Sequence, residues 1–261
     1  MTIWAFGDSY IADYIDHESW KNEQIERNIK PWIKAVGEYI NQPVINFGMC
    51  GSSSDYVYYK FNEVRKNIQY NDIVIVGITS LFRRWIIKEY PDITILTDTR
   101  SKLFELGGKS IKQYMIYLDH QKIHEIYCLN FLYNLDNITR KKNLHTIVLP
   151  IMYEEDRILS KYKNQFTNFH WASYALTDVN NNEYTEEFWN KIKDTFLSDG
   201  KINHLTWSNH AILTNKIINN IQNKIPIDVK EGFVKNIITA DSTKNPEFLS
   251  KEFADNPIYN I

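Results

Sequence analysis

The chain has 261 residues, of which 43% are hydrophobic and 24% are charged, and its formal net charge is -2 at pH 7. This length and composition are typical of a globular protein with one large domain or two small ones. The near-neutral charge gives no electrostatic reason to expect nucleic acid or an anionic membrane as a partner.

Cysteine usage and hydropathy limit the setting further. Cys50 and Cys128 form no metal-type spacing and no disulfide framework, so we expect buried thiols in a reducing compartment. The first residues lack a basic segment followed by an apolar one, and no apolar run approaches the roughly 20 residues of a membrane span. We therefore expect a cytoplasmic protein without signal peptide or membrane segment.

The first half of the chain predicts alternating strands and helices. A short buried strand is expected at 2–6, and a helix at 31–40 with Pro31 at its first position. An apolar run at 44–47 predicts the next strand. Apolar residues at helical spacing over 57–68 predict the helix after it.

The alternation continues to about residue 221. The β-branched run Ile73–Val76 is typical of a strand buried on both faces. The remaining expected elements are a hairpin around 93–106, a long helix over about 110–138, a strand at 145–149, and helices at 184–197 and 206–221. Strands that alternate with helices predict an α/β fold with a parallel sheet and helices on both faces.

Two segments fit this pattern less well. Residues 151–183 show no clear periodicity, and about 151–198 are interpreted as an irregular insertion in a domain that spans 1–225. Residues 226–261 are polar and carry three prolines, so we expect an extended C-terminal arm. The arm is predicted to be dispensable for the fold and to serve homo-oligomerisation or a larger assembly.

Small and polar residues follow several of the predicted strands. Gly7-Asp8-Ser9 follows the first, 48–54 the second and 77–80 the third, and 199–204 runs into a helix. In a parallel sheet these loops share the carboxyl edge, where ligands bind. A serine there can attack a substrate, a histidine can take its proton, and an aspartate can orient the histidine.

Three of these segments resemble motifs of the SGNH or GDSL hydrolases. They are Phe6-Gly7-Asp8-Ser9, the segment from Asn46 to Gly51, and the segment from His204 to His210. The resemblance covers roughly residues 1–222, interrupted by 151–198. It implies a flavodoxin-like three-layer α/β/α sandwich of about five parallel strands. It also implies hydrolysis of esters without a metal or an organic cofactor.

The resemblance also implies roles for individual residues. Ser9 would be the nucleophile, and its backbone N–H, with that of Gly51, would form the oxyanion hole. His204 would be the general base, oriented by Asp199. Thr79 stands where the family usually has Asn, and its hydroxyl would be a third oxyanion donor.

The sequence departs from the family pattern at two further positions. Tyr10 replaces the usual Leu after Gly-Asp-Ser, which changes nothing in the expected chemistry. Lys201 occupies the usual position of the Asp, three residues before His204, whereas Asp199 lies five residues before it. A Ser–His dyad without Asp is therefore the alternative to a triad.

Other residues are candidate substrate contacts or structural residues. Asp8, Arg83 and Trp171 are predicted to contact substrate, although a solvated or ion-paired Arg83 and a core-packed Trp171 are the alternatives. His210 is expected to pack or form hydrogen bonds, because its six-residue spacing from His204 does not suit a metal site on one helix face.

The expected function is a serine esterase that acts on carboxylic esters, with O-acyl groups on a carbohydrate as the substrate class. The sugar preference is family-level analogy. The alternative is a binding or structural protein on the same fold with a weakened or inactive site, such as a phage or virion component.

Overall fold

The structure, a computed structural model, describes residues 1–12, 30–49, 52–81, 84–87, 93–96, 121–177, 205 and 207–233. The strands within these ranges are β1 (Ile3–Gly7), β2 (Val44–Gly48), β3 (Ile73–Ile78), β4 (Arg84–Ile87), β5 (Ile93–Leu96), β6 (His145–Pro150) and β7 (Phe169–Trp171). The helices are α1 (Trp32–Tyr39), α2 (Ser54–Val64), α3 (Gln121–Lys142), α4 (Tyr153–Leu159) and α5 (Trp207–Asn223), and Lys163–Gln165 form a short 3₁₀ turn.

Five strands form one parallel sheet in the order β2-β1-β3-β6-β7. This is the strand order of flavodoxin-like doubly wound sheets, so the predicted α/β fold with about five parallel strands is confirmed. β4 and β5 form a separate antiparallel pair. The hairpin expected at 93–106 therefore begins earlier, at residue 84, and 97–106 lie outside the described residues.

The central strands β1 and β3 are buried on both faces. Alternate residues of β1 enter different core clusters, with Ile3 packed on one side of the sheet and Trp4 on the other. The cluster around Ile3 includes apolar residues of α1 and α5, and the cluster around Trp4 includes residues of α2 and α3. Helices therefore cover both faces of the sheet, which explains the continuous apolar runs of the central strands.

The observed helices agree with the expected positions where they are described. α1 begins at Trp32 with Pro31 as its N-cap, and α5 covers the stretch expected at 206–221. α3 is described from Gln121 onward, and residues 110–120 and the helix expected at 184–197 lie outside the described residues. In the part of the chain that is described, no helix is both long and apolar enough to cross a membrane.

A buried carboxylate fixes the start of the sheet. Asp72 is 2% exposed and accepts hydrogen bonds of 2.8 Å from the Thr2 N–H, the Trp4 indole N–H and the Gln69 N–H. These bonds tie the beginning of β1 to the turn before β3. They fix the backbone at the beginning of β1, at the end of the strand opposite Ser9.

The insertion expected at 151–198 contains the fifth strand of the sheet. β7 pairs in parallel with β6, with Phe169 opposite Thr146 and Trp171 opposite Val148. A strand of three residues is too short to show a periodic pattern, which is why the sequence analysis assigned it to irregular structure. The interpretation as an irregular insertion therefore needs correction over 153–159, which form α4, and over 169–171. Residues 178–198 lie outside the described residues.

The C-terminal arm expected from residue 226 begins as part of the core. Ile227 forms a parallel bridge with Ala172, and Ile227, Val229 and Phe233 are 1%, 0% and 9% exposed. The predicted boundary at residue 225 therefore needs correction, because the chain packs against the domain up to Phe233. Residues 234–261 lie outside the described residues.

Candidate active site

Ser9 lies in a tight turn directly after β1. The N–H groups of Ile11 and Ala12 both donate to the carbonyl oxygen of Asp8 at 3.0 Å, which turns the chain back over the end of the sheet. Within 8–12, Ser9 alone is partly exposed, and the other four residues are buried. Ser9 is therefore the one partly exposed residue of this turn at the carboxyl edge, and its side chain carries a hydroxyl.

Asp8 is fully buried and bonded within the chain. Its Oδ1 accepts a hydrogen bond from the Tyr10 N–H at 3.0 Å, which forms an Asx turn around Ser9. Its Oδ2 accepts a hydrogen bond from the Thr79 hydroxyl at 2.6 Å. Asp8 is 0% exposed and holds the turn through both carboxylate oxygens, and its contact with substrate stays a prediction.

Thr79 follows the last residue of β3 and is also 0% exposed. A threonine hydroxyl has one hydrogen to donate, and here it is directed at the Asp8 carboxylate. The hydroxyl that the sequence analysis assigned to an oxyanion thus has a different acceptor in this structure. This hydrogen bond joins the residue that follows β3 to the residue that follows β1.

Three consecutive buried serines join the elements around the turn. The Ser52 hydroxyl donates to the Gly7 carbonyl at 2.9 Å, and the Ser54 hydroxyl donates to the Thr79 carbonyl at 2.8 Å. Ser53 caps α2 by accepting a hydrogen bond from the Tyr56 N–H. From the sequence, these serines are expected only as small residues near a ligand. Only the cap could be found from the sequence, because serine is a preferred residue directly before a helix.

The end of β2 is shaped to receive the Ser9 turn. The Asn46 amide donates to the Ile11 carbonyl at 2.8 Å and accepts from the Gly48 N–H at 2.7 Å. A Cβ atom at Gly48 would lie 2.5 Å from the Ala12 nitrogen, so only glycine fits there. The Asn46-Phe47-Gly48 motif therefore supports the turn.

The segment with the predicted general base is described only from Leu205 onward. His204 and Asp199 lie outside the described residues, as do Gly51 and Arg83. Leu205 is 2% exposed and belongs to the same core cluster as Tyr10 and Ile11.

His210 and Trp171 are both described, and each has a structural environment. Nδ1 of His210 accepts a hydrogen bond from the Trp32 N–H at 3.3 Å, which is a hydrogen-bonding role of the kind expected. The Trp171 ring packs against Phe169, with centroids 5.9 Å apart, and its indole N–H is buried. The packing alternative therefore accounts for the surroundings of Trp171, and its contact with substrate stays a prediction.

A second group of titratable side chains lies at the opposite edge of the sheet. Nε2 of His145 is 2.9 Å from the Asn220 amide oxygen, and the Lys224 ammonium donates to Nδ1 at 2.6 Å. The His145 ring stacks on that of His170 at 4.1 Å. Burial, with the neighbouring charges of His170 and Lys224, lowers the pKa of His145 from 6.5 to about 4. His145 is therefore neutral at pH 7.

Within the described ranges, no group of three or more His, Cys, Asp or Glu side chains is arranged to hold a metal ion. No family model and no curated protein matches the chain. The function that the resemblance to SGNH hydrolases implies therefore depends on the motif residues alone.

Proposed function

We propose that this protein is a serine hydrolase of the SGNH type that cleaves carboxylic esters, with O-acyl groups on a carbohydrate as the substrate class. The observation that carries the proposal is the turn at the end of β1. It buries four of the residues 8–12 and leaves Ser9 accessible at the edge where parallel sheets bind ligands.

The position of His204 in the chain supports a base near Ser9. His204 directly precedes Leu205, whose side chain shares a core cluster with the two residues that follow Ser9 in the turn, Tyr10 and Ile11. A general base must come within hydrogen-bond reach of the hydroxyl that it activates. Residues close to Leu205 are therefore suitable candidates.

The proposed reaction has two steps. The Ser9 hydroxyl attacks the acyl carbon while His204 takes its proton, and the backbone N–H groups of Ser9 and Gly51 stabilise the oxyanion. His204 then protonates the leaving alcohol. In the second step water, activated by His204, attacks the acyl-enzyme, releases the acid and regenerates Ser9. Asp199 orients His204 throughout.

Labelling with a fluorophosphonate, followed by peptide mass spectrometry, tests this proposal. The wild-type protein should be labelled at Ser9, and Ser9→Ala should abolish both labelling and hydrolysis of a short-chain aryl ester. His204→Ala should strongly slow both. Ser160→Ala, at the exposed end of α4, is the control and should change neither. Label on another residue, or turnover that persists in Ser9→Ala, would contradict the proposal.

The second candidate is a binding or structural protein that keeps this fold without catalysis. The hydrogen bond from Thr79 to Asp8 favours it, because that hydroxyl is engaged away from a substrate. A folded wild-type protein that fluorophosphonates do not label would favour this second function.

A further inference from the structure

We propose that Thr79 is a positioning residue that acts on Ser9 through the carboxylate of Asp8. The inference rests on the proposed function, since it concerns how the nucleophile is held. It gives Thr79 a role different from that of an oxyanion donor.

The hydrogen bonds form one continuous path to the nucleophile. Ser54, the first residue of α2, donates to the backbone carbonyl of Thr79, so that residue is fixed from behind. The Thr79 hydroxyl donates to Asp8 Oδ2, and Asp8 Oδ1 accepts from the Tyr10 N–H. Ser9 lies between the two ends of that Asx turn, so the carboxylate fixes its backbone.

The chemistry of the two side chains suits this purpose. Threonine is β-branched and stiff at χ1, which restricts the position of its hydroxyl oxygen. A carboxylate can accept two hydrogen bonds at once, one on each oxygen. Both side chains are 0% exposed, which removes competition from water. A buried carboxylate needs such partners, and here the bond that satisfies it also connects β3 to the turn after β1.

The direction of the Thr79 hydroxyl favours a positioning role over direct contact with the reacting oxygen. An oxyanion donor must direct its hydrogen at the reacting oxygen. The Thr79 hydrogen is directed at an acceptor inside the protein. A misplacement of the nucleophile by about 1 Å can cost on the order of 100-fold in rate, so the loss of this anchor should be visible in turnover.

A double-mutant cycle on an aryl ester tests the assignment. Thr79→Val should lower kcat by roughly 10- to 100-fold with KM within about twofold of wild type. Thr79→Ser keeps the hydroxyl and should restore most of the rate. In an Asp8→Ala background, Thr79→Val should cause no further loss, because both changes break the same path. If Asp8→Ala does not fold, as judged by circular dichroism, the kcat values of the two Thr79 variants and hydrogen exchange at the Tyr10 amide decide the assignment.

Hydrogen exchange at the Tyr10 amide provides a readout that does not need activity. Thr79→Val should accelerate this exchange at least about tenfold, because the carboxylate that accepts from Tyr10 loses its anchor. Three outcomes would each overturn the assignment. They are losses of kcat that multiply in the double mutant, a wild-type kcat in Thr79→Val, and unchanged exchange at the Tyr10 amide. Failure of the fluorophosphonate to label the wild type would instead overturn the proposed function, and Tyr10 exchange would still decide whether the path exists.

Discussion

The indole nitrogen of Trp32 donates a hydrogen bond of 2.7 Å to the backbone carbonyl of Tyr10, the residue that follows Ser9. The backbone N–H of the same tryptophan donates to His210 in α5. Trp32 is 0% exposed and therefore joins the turn that carries Ser9 to the helix that follows His204 in the chain. One buried residue, through its side chain on one side and its backbone on the other, therefore connects the Ser9 turn with α5.

Trp32→Phe should lower both stability and turnover. The change deletes the indole N–H and leaves the Tyr10 carbonyl without that donor, at a cost of roughly 1–3 kcal/mol in the free energy of unfolding. Turnover should fall on the order of tenfold, because the Ser9 turn loses a support. Trp4→Phe is the matched control, since it deletes a buried indole hydrogen bond to Asp72 at the opposite edge of the sheet. Urea unfolding should show a loss of similar size in both variants, whereas an equal loss of kcat in both would contradict a specific role for Trp32.

Asp199→Asn should distinguish a triad from a dyad. If Asp199 orients His204, the amide holds the wrong imidazole tautomer, and kcat should fall by about 10⁴-fold. The measurement is turnover on one aryl ester, with circular dichroism to verify folding. Turnover close to that of the wild type would support the Ser–His dyad, and the assignment of Asp199 would be wrong.

Stability should decrease as the pH falls below about 6.5. The pKa of His145 is about 4 in the folded protein and 6.5 in the unfolded chain, so the unfolded chain takes up the proton first. The contribution of neutral His145 to the free energy of unfolding is fully present above pH 6.5 and is lost progressively down to pH 4. Between pH 7 and pH 5 the loss from this group is about 2 kcal/mol.

Urea midpoints measured at several pH values test this dependence. His145→Gln should flatten the slope between pH 7 and pH 5. His170, whose pKa is also lowered by burial and by Lys224, should leave a remaining slope of the same sign. A slope that is identical in wild type and His145→Gln would contradict the assignment.

Two truncations should separate the core-packed part of the C-terminal segment from the rest. A chain that ends after Phe233 should keep the fold, as judged by melting temperature. A chain that ends after Lys224 loses Ile227, Val229 and Phe233, each of which contributes about 2 kcal/mol by burial. That chain should melt far lower or fail to fold. Equal melting temperatures of the two truncations would show that 225–233 contribute little.

The elements with long apolar patterns were predictable from the sequence. β1, β3 and β6 are continuous apolar runs because helices cover both faces of the sheet, and α5 carries a regular apolar stripe. β7 was missed because a three-residue strand carries no period, and it is recognisable only beside β6. The alternation of Ile227 and Val229 was too short to outweigh the polar composition that follows.

The candidate site was predictable in position more than in detail. The sheet edge at which Ser9 emerges follows from strand order, because parallel strands end at one edge. The role of Asp8 did not follow, since its partner Thr79 lies 71 residues further along the chain. The same holds for Ser52 and Ser54, whose acceptors are backbone carbonyls of β1 and of the residue after β3. Such pairings depend on tertiary structure, which a local sequence pattern does not contain.

The parallel bridge between Ala172 and Ile227 has a consequence for self-association. An exposed strand edge offers unpaired backbone groups, on which another chain can add a strand and begin to aggregate. Just beyond β7, the Ser173 N–H donates to the Ile227 carbonyl at 2.9 Å, and the Val229 N–H donates to the Ser173 hydroxyl. The segment thus pairs with the backbone just beyond β7. Its removal would leave the backbone of Ala172 and Ser173 without these partners, where the strand of another chain could add.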